Sequence, residues 1–222
     1  MEFTSILYAG HSAVFLKRID FTLAIDPWLE GNPLCPEELK NEKIDLIVLT
    51  HGHSDHASDV VRLYKANKCK IVATFELCNL LSEEGIESSD LIFMNKGGTI
   101  DLAGITISLT HARHSNSCEA CGVVIKDDSR SYYHAGDTDL FSDMKLIAKK
   151  WNPEYAFLPI GDIFTMGPED AVTALEFIKP EKLIPIHYKT FDLLTGTVSK
   201  LEELNKTETK IITLEPGQNL EI

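Results

Sequence analysis

The stretch VLTHGHSDHASD, residues 48–59, sets three histidines and two aspartates directly behind a run of branched apolar residues. A 222-residue chain with eight histidines that puts three of them within six positions is constrained there more than anywhere else. Alternate side chains of an extended backbone share a face. His51, His53 and Asp55 are therefore expected to converge just past the end of a strand, and His56 joins them if the chain turns into a helix, as HASDVV indicates. The pattern offers two imidazoles to one cation and a carboxylate with an imidazole to a second. Such a donor set suits Zn2+, with Mn2+ or Fe2+ as alternatives where more oxygen is present. The plainer reading, a polar loop with coincidental histidines, leaves a combination that seldom arises without a metal.

The apolar pattern around this stretch gives the frame. SILYAG, AVFLKR, FTLAID and IDLIVLT are short, rich in β-branched or aromatic residues, and bounded by Gly, Asp or Pro, so strands are expected. IDLIVLT is apolar almost throughout, as in a strand covered on both faces. Helices follow in 57–67, where Val60, Val61 and Tyr64 have helical spacing, and in 75–85, stopped at Gly85. Strand character returns in 104–112, 121–127 and 129–137, the last two joined as a hairpin by DDSR. A helix over 143–150, a buried strand at 155–161, a helix over 168–178 opened by Pro168, a strand at 182–187, a helix over 197–206 and two short strands in 210–222 complete the reading. Strands and helices recur in two similar blocks, which suits two sheets packed face to face with helices outside. No repeat, low-complexity segment or linker divides the chain, so one domain over 1–222 is expected.

Charge and cysteine usage narrow the setting. A net charge of −13 disfavours attraction to nucleic-acid backbones or anionic lipid, and no basic tract offsets it. Five cysteines, an odd number in a chain large enough to fold without staples, favour reduced thiols. The first twenty residues lack the features of a signal peptide, and no apolar run approaches the roughly 20 residues that cross a bilayer. The expectation is a cytoplasmic protein that acts on a small molecule without a membrane or nucleic-acid partner.

The chain resembles the metallo-β-lactamase fold superfamily. H-x-H-x-D-H after a buried strand, with isolated His, Asp and His downstream, is that superfamily's signature. GHSAVFL, IDP, HGHSDH, HARHS, YYHAGDT, PIGDIFTMGPEDA and PIHYKT fall in the order seen in one branch, small metal-dependent hydrolases similar to L-ascorbate-6-phosphate lactonase. The resemblance implies an α/β (α+β) fold, a four-layer αββα sandwich with a dinuclear metal site at one edge. Carried over, it assigns His51, His53 and His114 to the first metal, Asp55, His56 and His187 to the second, and Asp137 to both. It also implies self-association as an option, and a lactone or phosphorylated metabolite, anionic in the latter case, as substrate.

The residues support these assignments unevenly. Asp137 ends a strand after a glycine, where a turn aspartate is also unremarkable. His187 repeats the strand-end placement of His51, although a packed core histidine would fit there too. THARHS offers both His111 and His114, and the branch pattern favours His114. His134 reads as a packed histidine beside the site. His11, in a tight turn, is either a turn residue or a substrate contact. Asp26 resembles the carboxylate that supports a ligating histidine from behind. Thr165, Met166 and Gly167 are candidates for the substrate pocket, and Lys189 and Thr190 could meet an anionic group, though a solvated lysine is the plainer reading. Cys118 and Cys121 lack the second pair that a zinc knuckle needs.

The expected chemistry is hydrolysis by a hydroxide bridging two cations, with Asp55 orienting the nucleophile and moving a proton. Phosphodiester cleavage and a non-catalytic metal sensor are the alternatives.

Overall fold

A computed structural model describes residues 2–115 and 118–222. Strands β1 (Ser5–Gly10), β2 (Ala13–Arg18) and β3 (Phe21–Ile25) form an antiparallel meander, which β4 (Leu46–Val48), β5 (Lys70–Thr74) and β6 (Leu91–Met94) extend in parallel. A second sheet begins with the antiparallel strands β7 (Thr99–Leu102), β8 (Ile105–His111), β9 (Cys121–Lys126) and β10 (Ser131–His134). It continues in parallel through β11 (Tyr155–Pro159), β12 (Lys182–Ile186) and β13 (Lys210–Ile211). The last strand, β14 (Asn219–Glu221), returns to the first sheet and pairs with β1.

Period-2 alternation explains how the sheets face each other. Ile6, Tyr8, Val14 and Leu16 meet Ile107, Leu109, Val123 and Ile125 of the opposite sheet in the central core. The intervening Leu7, Ala9 and Phe15 point outward, to the layer that holds Val60, Leu63 and Tyr64 of α2 (Val60–Asn67) and Leu77 and Leu81 of α3 (Phe75–Glu83). On the far side, Val124, Tyr133 and Leu158 pack with Ile147 of α4 (Lys145–Trp151), Leu175 of α5 (Pro168–Ile178) and Leu201 of α6 (Val198–Leu204). The result is the expected four-layer αββα sandwich. Fully burying an aliphatic side chain contributes about 1.5–3 kcal/mol, so three such layers can carry strained loops at one edge.

Local sequence sets the helix limits. α5 opens with Pro168 at its first position and two acids in its first turn, and ends where Lys179 adopts φ 53°. Four differences from the sequence reading stand out. The helix expected over 57–67 starts earlier and is split into α1 (Ser54–Ala57) and α2, because His53 already caps the first turn. The strand in IDLIVLT is ladder-paired only over Leu46–Val48. β6 and β7 were not expected, being four residues each with mixed exposure. The two closing strands join different sheets, carried apart by the turn at Pro216 and Gly217. No helix among the described residues is long and apolar enough to cross a membrane.

Strand direction places the site. β1, β3 and β4 point the same way, as do β8, β10 and β12. Their carboxyl ends deliver loops to one edge, where open α/β sheets commonly hold ligands.

Candidate metal centre

The turn after β1 carries His11, the end of β3 carries Asp26, and the segment after β4 carries His51, His53, Asp55 and His56. From the second sheet come His114 after β8, Asp137 after β10 and His187 after β12. Because α1 starts at Ser54, Asp55 and His56 swing away from His51 and His53 instead of continuing the strand alternation.

Two groups of four donor residues result, beside a third made of Asp26, His51 and His56. The donor atoms of His51, His53, His114 and Asp137 lie within 4.8 Å of one another, and so do those of His11, Asp55, His56 and His187. His53 Nδ1 is 3.0 Å from His51 Nε2 and 3.1 Å from His114 Nε2. The Asp137 carboxylate stands between the groups. Its Oδ2 is 3.6 Å from His114 Nε2, 3.8 Å from His51 Nε2 and 3.2 Å from His187 Nε2, while Oδ1 is 3.3 Å from His56 Nε2.

Hydrogen bonding behind the rings fixes which nitrogens face the centre. Asp26 is fully buried and accepts from Thr50 N (2.8 Å), Thr50 Oγ1 (2.6 Å) and His56 Nδ1 (2.8 Å). The Thr50 hydroxyl has one proton and gives it to Asp26, so at 2.9 Å it accepts from His51 Nδ1–H. In a neutral His51 ring this leaves the Nε2 lone pair on the side of the centre, 3.0 Å from His53 Nδ1 and 3.8 Å from Asp137 Oδ2. Asp26 thus orients two rings at once, as the supporting group of a ligating histidine does.

These residues fit a bound cation. His56 Nε2 and Asp137 Oδ1 are buried without a hydrogen-bond partner, although they face each other. Stranding a buried polar atom costs about 1–3 kcal/mol, which a cation between them would remove. Imidazole nitrogens about 3.3 Å apart span the edge of a tetrahedron around a zinc ion at about 2.0–2.1 Å. The spacings around His53 approach that edge.

Electrostatics separate the histidines. Burial pushes His51 down to about 3 and His11 to about 4, and it also lowers His114. Burial disfavours charge on His56 too, but Asp137 and Asp26 on either side outweigh it and raise His56 well above its ordinary value. Asp137 goes the other way: burial opposes its ionisation, yet His56 and His187 hold it well below the usual carboxylate range. Asp55 is likewise depressed against its burial, chiefly by the His11 hydrogen bond.

The backbone around the centre is strained. His11, Asp26 and His187 adopt φ of 56°, 46° and 55°, a region L-residues normally avoid. Gly136 (φ 63°) precedes Asp137 so closely packed that a Cβ there would lie 2.8 Å from Cys121 O and 2.8 Å from Thr50 Cβ. Only glycine lets this turn approach the end of β4.

The remaining candidates fall elsewhere. His134 is buried, with Nε2 donating to Ser12 O (3.0 Å) and Nδ1 accepting from Gly136 N (3.1 Å). His111 is exposed. Cys118 and Cys121 are buried and form no disulfide, and the Cys121 thiol donates to Thr50 O. Lys189 Nζ is 3.8 Å from Glu215, and its side chain is 60% exposed.

A cavity of about 670 Å³ reaches the centre, with His53, Asp55, His114, Asp137 and His187 among its lining. His11 is fully buried and does not line this space but backs residues that do, its Nε2 3.1 Å from Asp55 Oδ2 and its Nδ1 2.9 Å from Thr190 Oγ1. Thr165, Met166 and Gly167 do not line the cavity; the two preceding residues, Ile163 and Phe164, do. Trp28, Phe191 and Leu193 complete its apolar side and were not singled out from sequence. Large apolar residues in DPW, DIF and FDLL, segments without helical or strand periodicity, were the signal available.

Comparison with known proteins accords with this geometry. Residues 22–188 match the beta-lactamase superfamily domain. The chain is similar to the UPF0173 metal-dependent hydrolase of Methanosarcina barkeri, 38% identical over 98% of both chains. It is 43% identical to that of Sulfolobus acidocaldarius, over 97% of this chain and 98% of the relative. Among solved structures it is similar to Igni18, a metallo hydrolase from Ignicoccus hospitalis, with a TM-score of 0.88 and 34% identity over 99% of this chain and 98% of that one. The isothiocyanate hydrolase from Delia radicum gut bacteria shares the fold, with a TM-score of 0.78 and 20% identity over 98% of each chain. Likeness of this extent makes the chain a member of the beta-lactamase superfamily, a metal-dependent hydrolase with the metallo-β-lactamase fold.

Proposed function

We propose that the chain hydrolyses an ester-type bond, a lactone included, at a centre of two divalent cations. His51, His53 and His114 would hold the first, Asp55, His56 and His187 the second, and Asp137 would bridge both. One observation carries this reading: a single buried carboxylate faces both histidine groups, Oδ1 toward His56 and Oδ2 toward His51, His114 and His187. Nitrogen-rich groups favour Zn2+ over Mn2+ or Fe2+. Five buried cysteines without a disulfide suit a reducing, cytoplasmic setting.

Two such cations would supply water activated for attack near neutral pH and would stabilise charge developing on the attacked oxygen. The chain does the rest. Asp55 lines the cavity and stays ionised, so it can orient the nucleophile through a charge-assisted hydrogen bond. His11 holds the Asp55 carboxylate from the buried side and is a positioning residue. A purely structural centre needs no open approach, whereas a catalytic one keeps a position for substrate. The cavity at this centre favours catalysis over sensing.

The test pairs elemental analysis with turnover of neutral esters, lactones, thioesters and bis(p-nitrophenyl) phosphate. The purified protein should carry two metal equivalents and cleave the carboxylic esters or lactones, and His53→Ala should lose one equivalent together with activity. Full activity in His53→Ala, or turnover indifferent to chelation, would overturn the proposal.

A further inference from the structure

We infer that the substrate presents a neutral, apolar acyl or aryl group, seated against Trp28, Ile163, Phe164, Phe191 and Leu193. This inference deepens the hydrolytic reading and rests on it. The cavity has two unlike sides. Its floor is the histidine–aspartate centre, and its wall is built from these five large apolar side chains. Among the described residues that line it there is no Lys or Arg. Lys189, the nearest cation along the chain from His187, pairs with Glu215 instead. A phosphoryl group is normally gripped by such cations through charge-assisted hydrogen bonds, so this wall does not suit the phosphorylated metabolite that the sequence resemblance implied.

The apolar side chains are placed at a cost. Of the nine large hydrophobic residues exposed on the described surface, Ile163 (60%), Phe164 (47%), Phe191 (36%) and Leu193 (63%) all stand at this one mouth. Apolar residues scattered singly are ordinary, but a cluster rimming a concave site marks binding. Backbone strain points the same way. Asp162 and Ile163 adopt consecutive left-handed conformations, φ 65° and 62°, and a β-branched residue there is a genuine outlier. Asp162 enforces them: its amide donates to Met166 O (3.1 Å), Oδ1 accepts from Ile163 N (2.8 Å), and Oδ2 accepts from Thr195 Oγ1 (3.1 Å). That last bond ties the 162–166 loop to the segment bearing Phe191 and Leu193. Strain of this kind persists where the surroundings over-determine it, and functional sites are where it collects. Here its effect is to hold Ile163 and Phe164 out over the cavity.

The opposite part of the wall is equally fixed. Phe191 lies nearly parallel to Trp28, ring centroids 6.1 Å apart at 29°, and both rings pack edge-on against His11. A flat apolar surface therefore stands beside Asp55, where the acyl or aryl part of an ester would lie while its carbonyl meets the centre. The cavity volume of about 670 Å³ suits a small molecule.

The experiment compares the metal-loaded protein on 4-nitrophenyl acetate, butyrate and hexanoate, and on the anionic mono-4-nitrophenyl succinate. If each methylene is buried against the wall, kcat/KM should rise about threefold to fourfold per methylene along the neutral series, with the succinate the poorest substrate for its size. Phe164→Ser and Leu193→Ser, at exposed positions that the fold does not need, should flatten that rise. Binding is read separately by Trp28 emission in a Trp151→Phe background, where hexananilide, which resists hydrolysis, should shift the emission and acetanilide should not. A hexananilide response without ester turnover upholds the apolar seat and removes the hydrolytic reading. Turnover that is flat with chain length, a preference for the succinate, or a slope unchanged in both serine variants would overturn the inference while leaving hydrolysis standing.

Discussion

The amide of His187 donates to the carbonyl oxygen of His11 across 2.7 Å, and the two rings lie 4.0 Å apart. This bond joins the turn after β1 in one sheet to the end of β12 in the other. Packing of the sheets brings the loops to a common edge, but the clasp sets the spacing of the centre's halves. Both residues hold left-handed backbone conformations to make it, which costs roughly 1–2 kcal/mol each. The Tyr8 hydroxyl also donates to His11 O (3.1 Å), so the strained turn is held from two sides.

His11→Asn separates the backbone role of this residue from its side-chain role. Asparagine tolerates the left-handed region, so the clasp should be retained, with the thermal midpoint lowered only by the loss of the buried ring's contacts. Its shorter side chain cannot bridge Thr190 and Asp55. Activity should fall about 10–100-fold, as for other groups that orient a ligand from behind. The loss should fall on kcat more than KM, because His11 does not line the cavity. Steady-state kinetics with a neutral ester check this, and an unchanged kcat would remove His11 from the machinery.

Gly136→Ala tests how closely Asp137 must approach. The added methyl would meet Thr50 and Cys121 at 2.8 Å, both of them in the buried edge of the sandwich. Strain at a positive φ adds to the clash. A destabilisation of about 1–3 kcal/mol is expected, together with a reduced metal content because Asp137 shifts. Denaturant unfolding and elemental analysis measure the two effects, and wild-type values for both would show that the turn has slack.

Much of the architecture could be read from the chain because its cause is local. The strands read from β-branched and aromatic content in SILYAG and AVFLKR, and the helix opened by Pro168 in PEDAVTALEFI, survive in the structure, since each face meets its own apolar layer. β6 and β7 escaped because four residues are too few to establish a period: β6 does not alternate, and β7 alternates only between exposed and half-buried positions. At the candidate centre, the local pattern could cluster His51 to His56 and divide them as two imidazoles for one cation and Asp55 with His56 for a second, but by itself it could not show which distant side chains complete each group. The Asp55–His11 contact spans 44 positions, and the apolar wall assembles residues from Trp28 to Leu193. Pairings of that kind come from topology, which no short motif records.

Asp26→Asn removes a charge that supports two rings. Asp26 is fully buried and accepts three hydrogen bonds, from Thr50 N, Thr50 Oγ1 and His56 Nδ1. An amide keeps one oxygen acceptor and turns the other position into a donor, which then faces a donor. Metal affinity should drop about 10–100-fold, and stability by roughly 3–5 kcal/mol, the cost of breaking a buried charged pair. Competition with a metal-sensitive dye and denaturant melts provide the measurements. Wild-type affinity would mean that ring orientation is set elsewhere.

The metal-stripped protein should be most stable near pH 6.5, with losses on both sides. His11 and His51 are pushed down to about 4 and about 3 by burial, and burial also lowers His114 and His134. Histidine in the unfolded chain titrates near 6.5. As pH falls from 6.5 toward 4, the unfolded chain takes up protons that the buried rings refuse, so stability drops by about 1.4 kcal/mol per pH unit for each fully buried ring. His56 has the opposite sign. Asp137 and Asp26 raise its folded value despite its burial, so its contribution is complete below 6.5 and is lost as pH rises through that raised value. Asp26, Asp55 and Asp137 are depressed, and their contributions fade only below the ordinary carboxylate value of 3.8, outside this window. Urea unfolding of chelator-treated protein at intervals from pH 4.5 to 8.5 gives the curve directly. A monotonic rise with pH would show that His56 is not held as a cation between two carboxylates, and a monotonic fall would show that the buried rings accept protons freely.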